Sequence, residues 1–349
     1  MMKKFLTPAK TRRGMAAQRL ALKAAYYTGA LHAYGAAKRG KIPGLAILMY
    51  HSIGGSEILG PGIAVSEKNF AGQLEYLARS FDIVPLDSAV ATLRSGAPIP
   101  NNTIAITFDD GFRDNYETAF PLLKRYGAPA AMFVATQPLT DGISLWQYRL
   151  RFLLKKTQAR ELRLNWPDAA FGRAVFNLTN KRKRRRAVDA LEPPLIAAAP
   201  SERERMLAEI AHNLGLEADS DPADEAPTLT VEQIKQMSAA GVEIGSHTVT
   251  HPALSSVSRT DAAEELTASK KTLESILNRR VRFLAYPFGG PQHFNHEIEE
   301  LARAAGYDAA LSTIRGVNGS GSDLFAVKRL GVFDDPPAIF AFKLSRWFA

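Results

Sequence analysis

From residue 45 onward, short apolar runs alternate with stretches whose apolar residues recur at helical spacing. Residues 45–50 (LAILMY) and 103–108 (TIAITF) are continuous apolar runs, as strands buried on both faces require. Residues 82–84, 130–134, 242–246, 283–285, 309–311 and 327–330 read as further short strands. Helices lie between them. Ser66 and Asp87 read as N-caps of two, the first carrying Phe70, Leu74 and Leu77 on one side. A third covers 116–126 and stops at Gly127, a residue suited to a left-handed helix end. Thr230 caps a helix that stops at Gly241. Residues 261–277 carry a buried stripe of Leu266, Leu273 and Leu277, and a last helix lies near 297–305. Alternating strands and helices imply a parallel sheet. Seven or eight such units predict a closed or incomplete (β/α) barrel, with an open doubly wound sheet as the alternative.

Residues 140–228 interrupt this rhythm. They read as a helical insertion, with Leu145, Tyr148, Phe152 and Leu153 near its start and residues 203–212 helical near its end. The run KRKRRR at 181–186 reads as a solvated helix face, and 217–227 as an acidic, proline-containing linker. The chain thus divides into a basic N-terminal helical arm (1–41), a first barrel segment (42–139), the helical insertion (140–228) and a second barrel segment (229–349).

Composition fits a globular protein, with 46% hydrophobic and 23% charged residues. The net charge of +9 changes the picture only in its distribution. Residues 1–41 hold ten Lys or Arg and no Asp or Glu, so the rest of the chain is close to neutral. Basic residues spread over a binding face are missing, and no nucleic-acid partner is expected. Only Phe5 and Leu6 separate Lys3 and Lys4 from Thr7 and Pro8, which is too short for a secretory signal core. Arg19, Lys23 and His32 interrupt the Ala- and Leu-rich stretch 15–37. It reads as a basic amphipathic helix that either caps the domain or makes peripheral contact with a membrane surface. The expected location is the cytoplasm, with membrane association through this arm as the alternative. The absence of cysteine excludes disulfides and thiolate metal sites.

The candidate chemistry sits just after the strands, where barrel enzymes place it. His51 follows the first run. Asp109, Asp110 and Gly111 follow TIAITF. His247 and His251 follow VEIGS, Tyr286, Pro287 and Phe288 follow FLA, and Arg329 lies in the last strand. His247 and His251 stand four apart, a spacing that lets two imidazoles reach one ion, and a carboxylate would complete a two-His, one-carboxylate set with open positions. Adjacent carboxylates at a strand end are costly unless paired or coordinated. A helix cap with a turn at Gly111 is their structural alternative. The functional reading divides the two aspartates: Asp110 ligates a metal and Asp109 accepts a proton from metal-bound water.

ITFDDGFRDNY, SHTVTHP and FLAYPFGG resemble the three motifs of the NodB-homology polysaccharide deacetylases, carbohydrate esterase family four. The resemblance covers roughly 45–138 and 228–334. It implies a distorted (β/α) barrel with seven or eight strands, and hydrolysis of acetamido groups on an acetylated glycan of N-acetylglucosamine type. It implies Asp109 as base, Asp110, His247 and His251 as ligands of one divalent metal, and the Phe288 N–H as an oxyanion donor beside Tyr286 and Pro287. Zn2+ is the default ion, with Co2+, Ni2+ and Fe2+ compatible. Two positions depart from the pattern. Ala285 stands where the family has an arginine that orients the base, and Arg329 is the candidate replacement. No histidine follows Arg329 to serve as acid; His51 in MYHSI, as in the subgroup with rearranged motif order, is proposed for that role.

The alternatives are an O-deacetylase or deformylase of a lipid-linked glycan, and a catalytically inactive carbohydrate-binding barrel. His32 and His212 read as surface residues, and His293 and His296 as loop residues, with lining of the cleft as the alternative for either. Trp146 and Tyr148 read either as a sugar-stacking wall or as core, and the insertion as a lid or a substrate-selecting arm.

Overall fold

The computed structural model describes residues 12–39, 44–55, 59, 62–100, 102–167, 169, 172–217, 220–222 and 227–347. Lys3, Lys4, Phe5 and Leu6, and parts of the acidic linker, lie outside them. The chain opens with α1 (Arg12–Tyr27) and α2 (Ala30–Arg39). Next come β1 (Ala46–Tyr50), β2 (Ser52–Ile53), β3 (Ala64–Val65), α3 (Glu67–Ser80), β4 (Asp82–Ile83) and α4 (Leu86–Ser95). Then follow β5 (Thr103–Phe108), a π-helical turn (Asn115–Ala119) running into α5 (Phe120–Arg125), β6 (Ala131–Val134) and the short α6 (Gln137–Thr140). The interrupting segment holds α7 (Trp146–Lys156), β7 (Glu161–Trp166), β8 (Gly172–Asn177), α8 (Lys181–Ala197) and α9 (Pro200–Asn213). The second barrel segment holds α10 (Val231–Ala239), β9 (Glu243–Ser246), α11 (Arg259–Leu277), β10 (Phe283–Ala285), α12 (His296–Ala304), β11 (Ala309–Arg315), β12 (Val327–Gly331) and α13 (Pro337–Ser345).

All pairings in the main sheet are parallel, in the order β1-β12-β11-β10-β9-β6-β5, and β1 pairs back onto β5 to close a seven-stranded barrel. β4 adds an eighth strand beside β5. The distorted (β/α) barrel is therefore the fold, and the open doubly wound sheet is excluded. Side chains alternate across each strand. Ala46, Leu48 and Tyr50 of β1 and Ile104, Ile106 and Phe108 of β5 face the helical layer in one core. Ile47, Ala105, Phe133, Phe283, Ala285, Leu311 and Val327 fill the barrel in another, with Leu86, Ala89, Val90 and Leu93 of α4.

Local chemistry explains the helix ends. Thr230 and Gln233 form a reciprocal capping box on α10. α4 differs from expectation: Pro85, not Asp87, is its N-cap, and Asp87 instead lies in the first turn, where a carboxylate suits the positive end of the helix. The interrupting segment is also corrected. It is not all helix, because β7 and β8 form an antiparallel hairpin. Leu162, Leu164 and Trp166 of β7 are buried every second residue against α7, α8 and α9 in a separate core. The basic run sits on α8, mostly exposed, with Arg184 donating to the carbonyls of Leu154 (2.6 Å), Lys155 (2.8 Å) and Leu178 (2.9 Å). The N-terminal helices dock on the barrel rather than hang free. Leu22 and Leu31 are buried, and Tyr26 and His32 pack on Tyr76 of α3.

Candidate active site

Period-two alternation carries the functional side chains to the inside of the barrel at the carboxyl ends of its strands. Ala105, Thr107 and Asp109 point one way along β5 and its extension, as do Val327 and Arg329 on β12. They meet in a fully buried, bidentate ion pair, with Nη1 to Oδ1 and Nη2 to Oδ2 both at 2.7 Å. Arg329 is itself fixed by its Nε–H to the Ser312 carbonyl (2.9 Å) and Nη1 to Thr107 Oγ1 (3.3 Å). The guanidinium missing at Ala285 thus arrives from two strands further round the barrel. Burial pushes the Asp109 carboxyl up, but the Arg329 charge and hydrogen bonds, with help from His247 and His51, outweigh it. They hold Asp109 below the usual carboxylate range.

Asp110 turns out of the strand with φ of 72°, a left-handed conformation Asp tolerates better than most residues. The next residue, Gly111, also has positive φ (76°), and a Cβ there would meet Val134 Cγ1 at 3.0 Å. This double left-handed step swings the Asp110 carboxylate toward β9. Its Oδ1 lies 3.3 Å from Nε2 of both His247 and His251. The three side chains are buried, and their ligand-type atoms all lie within 4.8 Å of one another. His247 Nδ1 lies 2.7 Å from the Ala285 carbonyl, which can only accept, so Nδ1 carries the proton and Nε2 keeps its lone pair. Burial opposes ionisation of Asp110, yet the two imidazoles facing it hold it well below the usual range. Burial also pushes both imidazoles down. Asp110 and Asp109 more than reverse this for His247, whereas burial prevails at His251. An ionised carboxylate facing two imidazole nitrogens fits a divalent cation that takes N and O ligands.

The loop from His247 to His251 is shaped by left-handed residues Thr248 (φ 68°) and His251 (φ 57°). Glu265 of α11 pins it: Oε2 accepts from the N–H groups of Val249 (2.7 Å) and Thr250 (3.0 Å), and Oε1 from Thr250 Oγ1 (2.6 Å). The loop after β10 contributes Phe288, also left-handed (φ 60°), whose ring lies against those of His251 (4.8 Å between centroids), Trp146 and His293. Among the described residues the Phe288 N–H has no protein acceptor. Gly289 is required next to it, since a Cβ there would lie 2.7 Å from the Thr313 backbone nitrogen. His51 is half-buried and within electrostatic reach of both Asp109 and Asp110.

Most of the residues singled out in the sequence therefore converge. Tyr286 does not. It is buried with its ring stacked on Phe294, and its hydroxyl donates to the Phe325 carbonyl (3.0 Å), so the side chain belongs to the outer core. Pro287 is buried beside it, its carbonyl accepting from Gly289. Trp146 and Tyr148 are buried and hydrogen-bonded into the site rather than exposed as a sugar wall: Trp146 Nε1 donates to the His251 carbonyl (3.1 Å) and Tyr148 Oη to Asp110 Oδ2. Sequence reasoning missed this Tyr148 contact and the role of Glu265. The His293 ring borders Phe288, in keeping with the cleft-lining alternative for that residue.

A family model described as polysaccharide deacetylase matches residues 96–162 and 195–310, together just over half of the chain. YxkH of Bacillus subtilis (strain 168), named as a candidate polysaccharide deacetylase, is 22% identical over 290 residues, covering 82% of this chain and 71% of that protein. Among solved structures, the Streptococcus pyogenes deacetylase PplD in complex with acetate aligns with a TM-score of 0.56 at 19% identity, covering 88% of this chain and all of that one. IcaB from Ammonifex degensii aligns with the same TM-score at 20% identity, covering 88% and 98%. These two likenesses concern the fold.

Proposed function

The chain belongs to the polysaccharide deacetylase family, hydrolases of carbon–nitrogen bonds, and on that premise we propose that it removes N-acetyl groups from a glycan of N-acetylglucosamine type, releasing acetate. The observation that carries the reading is the pairing of two buried carboxylates with different partners: Asp109 with Arg329, and Asp110 with His247 and His251. Asp110, His247 and His251 would hold one divalent ion, Zn2+ by default. Bound there, it would supply Lewis acidity to the acyl oxygen and acidity to a water molecule.

The protein's own groups do the rest. Asp109, oriented by Arg329 and kept ionised, accepts the proton of the attacking water. Its low basicity would suffice for a water acidified by an ion held at Asp110, His247 and His251. The Phe288 N–H donates to the oxygen that gains charge in the tetrahedral state. His51 gives a proton to the departing amine, without which the C–N bond breaks slowly. An amine demands this proton far more than a sugar hydroxyl does, because an amide anion is a much poorer leaving group than an alkoxide, and this distinguishes the reading from an O-deacetylase.

The test is acetate release by the native protein and by His51→Ala, from N-acetylglucosamine oligomers and from an aryl acetate ester. The proposal expects about 10²–10⁴-fold loss on the amide and little loss on the ester, whose leaving group needs no proton. Equal loss on both would remove His51 from the acid role. Native cleavage of O-acetyl sugars alone would favour the esterase reading.

Peripheral contact with an anionic membrane is a further part of the proposal. Leu20 and Tyr27, the most exposed large apolar residues described, stand seven apart on α1 with Arg19 and Lys23 beside them. No described helix is long and apolar enough to cross a membrane.

A further inference from the structure

The inserted segment reaches the candidate metal centre through three buried side chains. Tyr148, on α7, donates its hydroxyl to Oδ2 of Asp110, the oxygen that does not face the histidines. Trp146, two residues earlier on the same helix, donates to the His251 carbonyl (3.1 Å) and lays its ring beside Phe288. Arg203, on α9 and 1% exposed, sits over the Trp146 ring (5.1 Å) with Nη2 3.4 Å from the Thr250 carbonyl and 3.3 Å from Thr250 Oγ1. One inserted unit thus touches both loops that carry the candidate ligands: the turn of Asp110 and the loop of His247 and His251.

We propose that the inserted segment is the outer wall of the metal centre, and that Tyr148 is a positioning residue that holds Asp110 with a single oxygen turned toward the ion. A carboxylate rotates readily about its last torsion and can present one oxygen or two. Nothing else among the described residues holds Oδ2 of Asp110. With that oxygen bonded to Tyr148, only Oδ1 faces Nε2 of the two histidines. The Tyr148 ring is itself immobilised edge-on against Phe112 (5.1 Å), in a small core with Leu145, Ala135 and Leu59. A hydrogen-bond partner that fixes a ligand's orientation is worth about 10–100-fold in metal affinity. The segment is accordingly no freely opening lid, because lifting it would break the Asp110, His251 and Thr250 contacts together.

This inference rests on the metal reading of the site, and the experiment separates the two. Zinc affinity is measured by competition with a chromophoric chelator for the native protein, Tyr148→Phe and Asp110→Asn. Tyr148→Phe keeps the ring on Phe112 and removes only the hydroxyl. The expected result is one equivalent of zinc in both native protein and Tyr148→Phe, bound about 10–100-fold more weakly in the variant, with unchanged thermal unfolding of the two metal-free proteins. Cobalt-loaded Tyr148→Phe should also lose intensity in its visible bands, as the freed second oxygen raises the coordination number. A merely structural hydroxyl would not produce that change. Equal zinc affinity and equal cobalt spectra in native protein and Tyr148→Phe would overturn the role of Tyr148 while leaving the metal site standing. Absence of zinc from the native protein, with Asp110→Asn behaving identically, would overturn both.

Discussion

Replacing Arg329 by methionine removes the guanidinium and keeps most of the side-chain volume. The native pair is isolated from solvent, its side chains 0% and 2% exposed, and each Asp109 oxygen has its own donor. Deleting one partner of such a pair strands a buried charge and costs about 3–5 kcal/mol. The charge can be relieved only by protonation. In the native protein the Asp109 carboxyl lies below its ordinary value of 3.8, so its contribution to stability is present above that value and lost as pH falls through the folded one. In Arg329→Met the sign reverses. Burial now raises the carboxyl, and the variant should regain stability relative to native as pH falls. Urea unfolding of native protein, Arg329→Met, Asp109→Asn and the double variant measures this directly. The expected coupling is about 2–3 kcal/mol, because the double variant strands no charge. Acetate release by Arg329→Met should fall with its acid limb moved to higher pH, since a protonated Asp109 accepts nothing. Additive single effects, within about 0.5 kcal/mol, with an unmoved acid limb would refute the reasoning.

Other consequences are less central. Burial pushes Asp114 up to about 6, against hydrogen bonds from Ser52, Asn115 and the Ile53 and Gly55 N–H groups. The folded protein therefore favours its protonated form, and about 3 kcal/mol of stability should be lost as pH rises through the window from 3.8 to about 6. Unfolding curves across that window should show this downward slope in the native protein relative to Asp114→Asn. Gly245→Ala would place a Cβ 2.5 Å from the Phe133 ring inside the barrel, so it should cost about 1–3 kcal/mol and be partly rescued by Phe133→Leu in thermal unfolding. Sedimentation with phosphatidylglycerol vesicles should retain the native protein at low salt and lose it on Leu20→Glu with Tyr27→Glu; neutral vesicles should retain neither, and equal sedimentation of both proteins would remove α1 from membrane contact.

Much of this architecture is legible in the sequence because a barrel strand is buried on both faces. TIAITF and FLA are strands over the very residues that read as apolar runs, and the two-residue alternation beyond TIAITF already places Asp109 inside. Arg329 was legible as the guanidinium available to replace the one missing at Ala285, and alternation within the strand turns it inward while its neighbour Lys328 is exposed. Elsewhere local signals competed. Helical patterns at both ends of the insertion covered the hairpin between them, because the alternation of Leu162, Leu164 and Trp166 is short. Asp87 was a reasonable cap, but Pro85, whose fixed φ suits the same entry, took the position. Tyr286 lies next to the site in sequence, yet alternation sends its ring to the outer core. The bond from Tyr148 to Asp110 joins residues 38 apart across a boundary between structural units, and no periodicity encodes such a contact.

The account stands most directly on acetate release from N-acetylglucosamine oligomers by the protein loaded with one equivalent of zinc, beside Asp109→Asn prepared identically. It predicts release that stops on chelation, returns with zinc, and falls by several orders of magnitude in the variant although zinc stays bound. Release that is indifferent to zinc, or equal in Asp109→Asn, would contradict it.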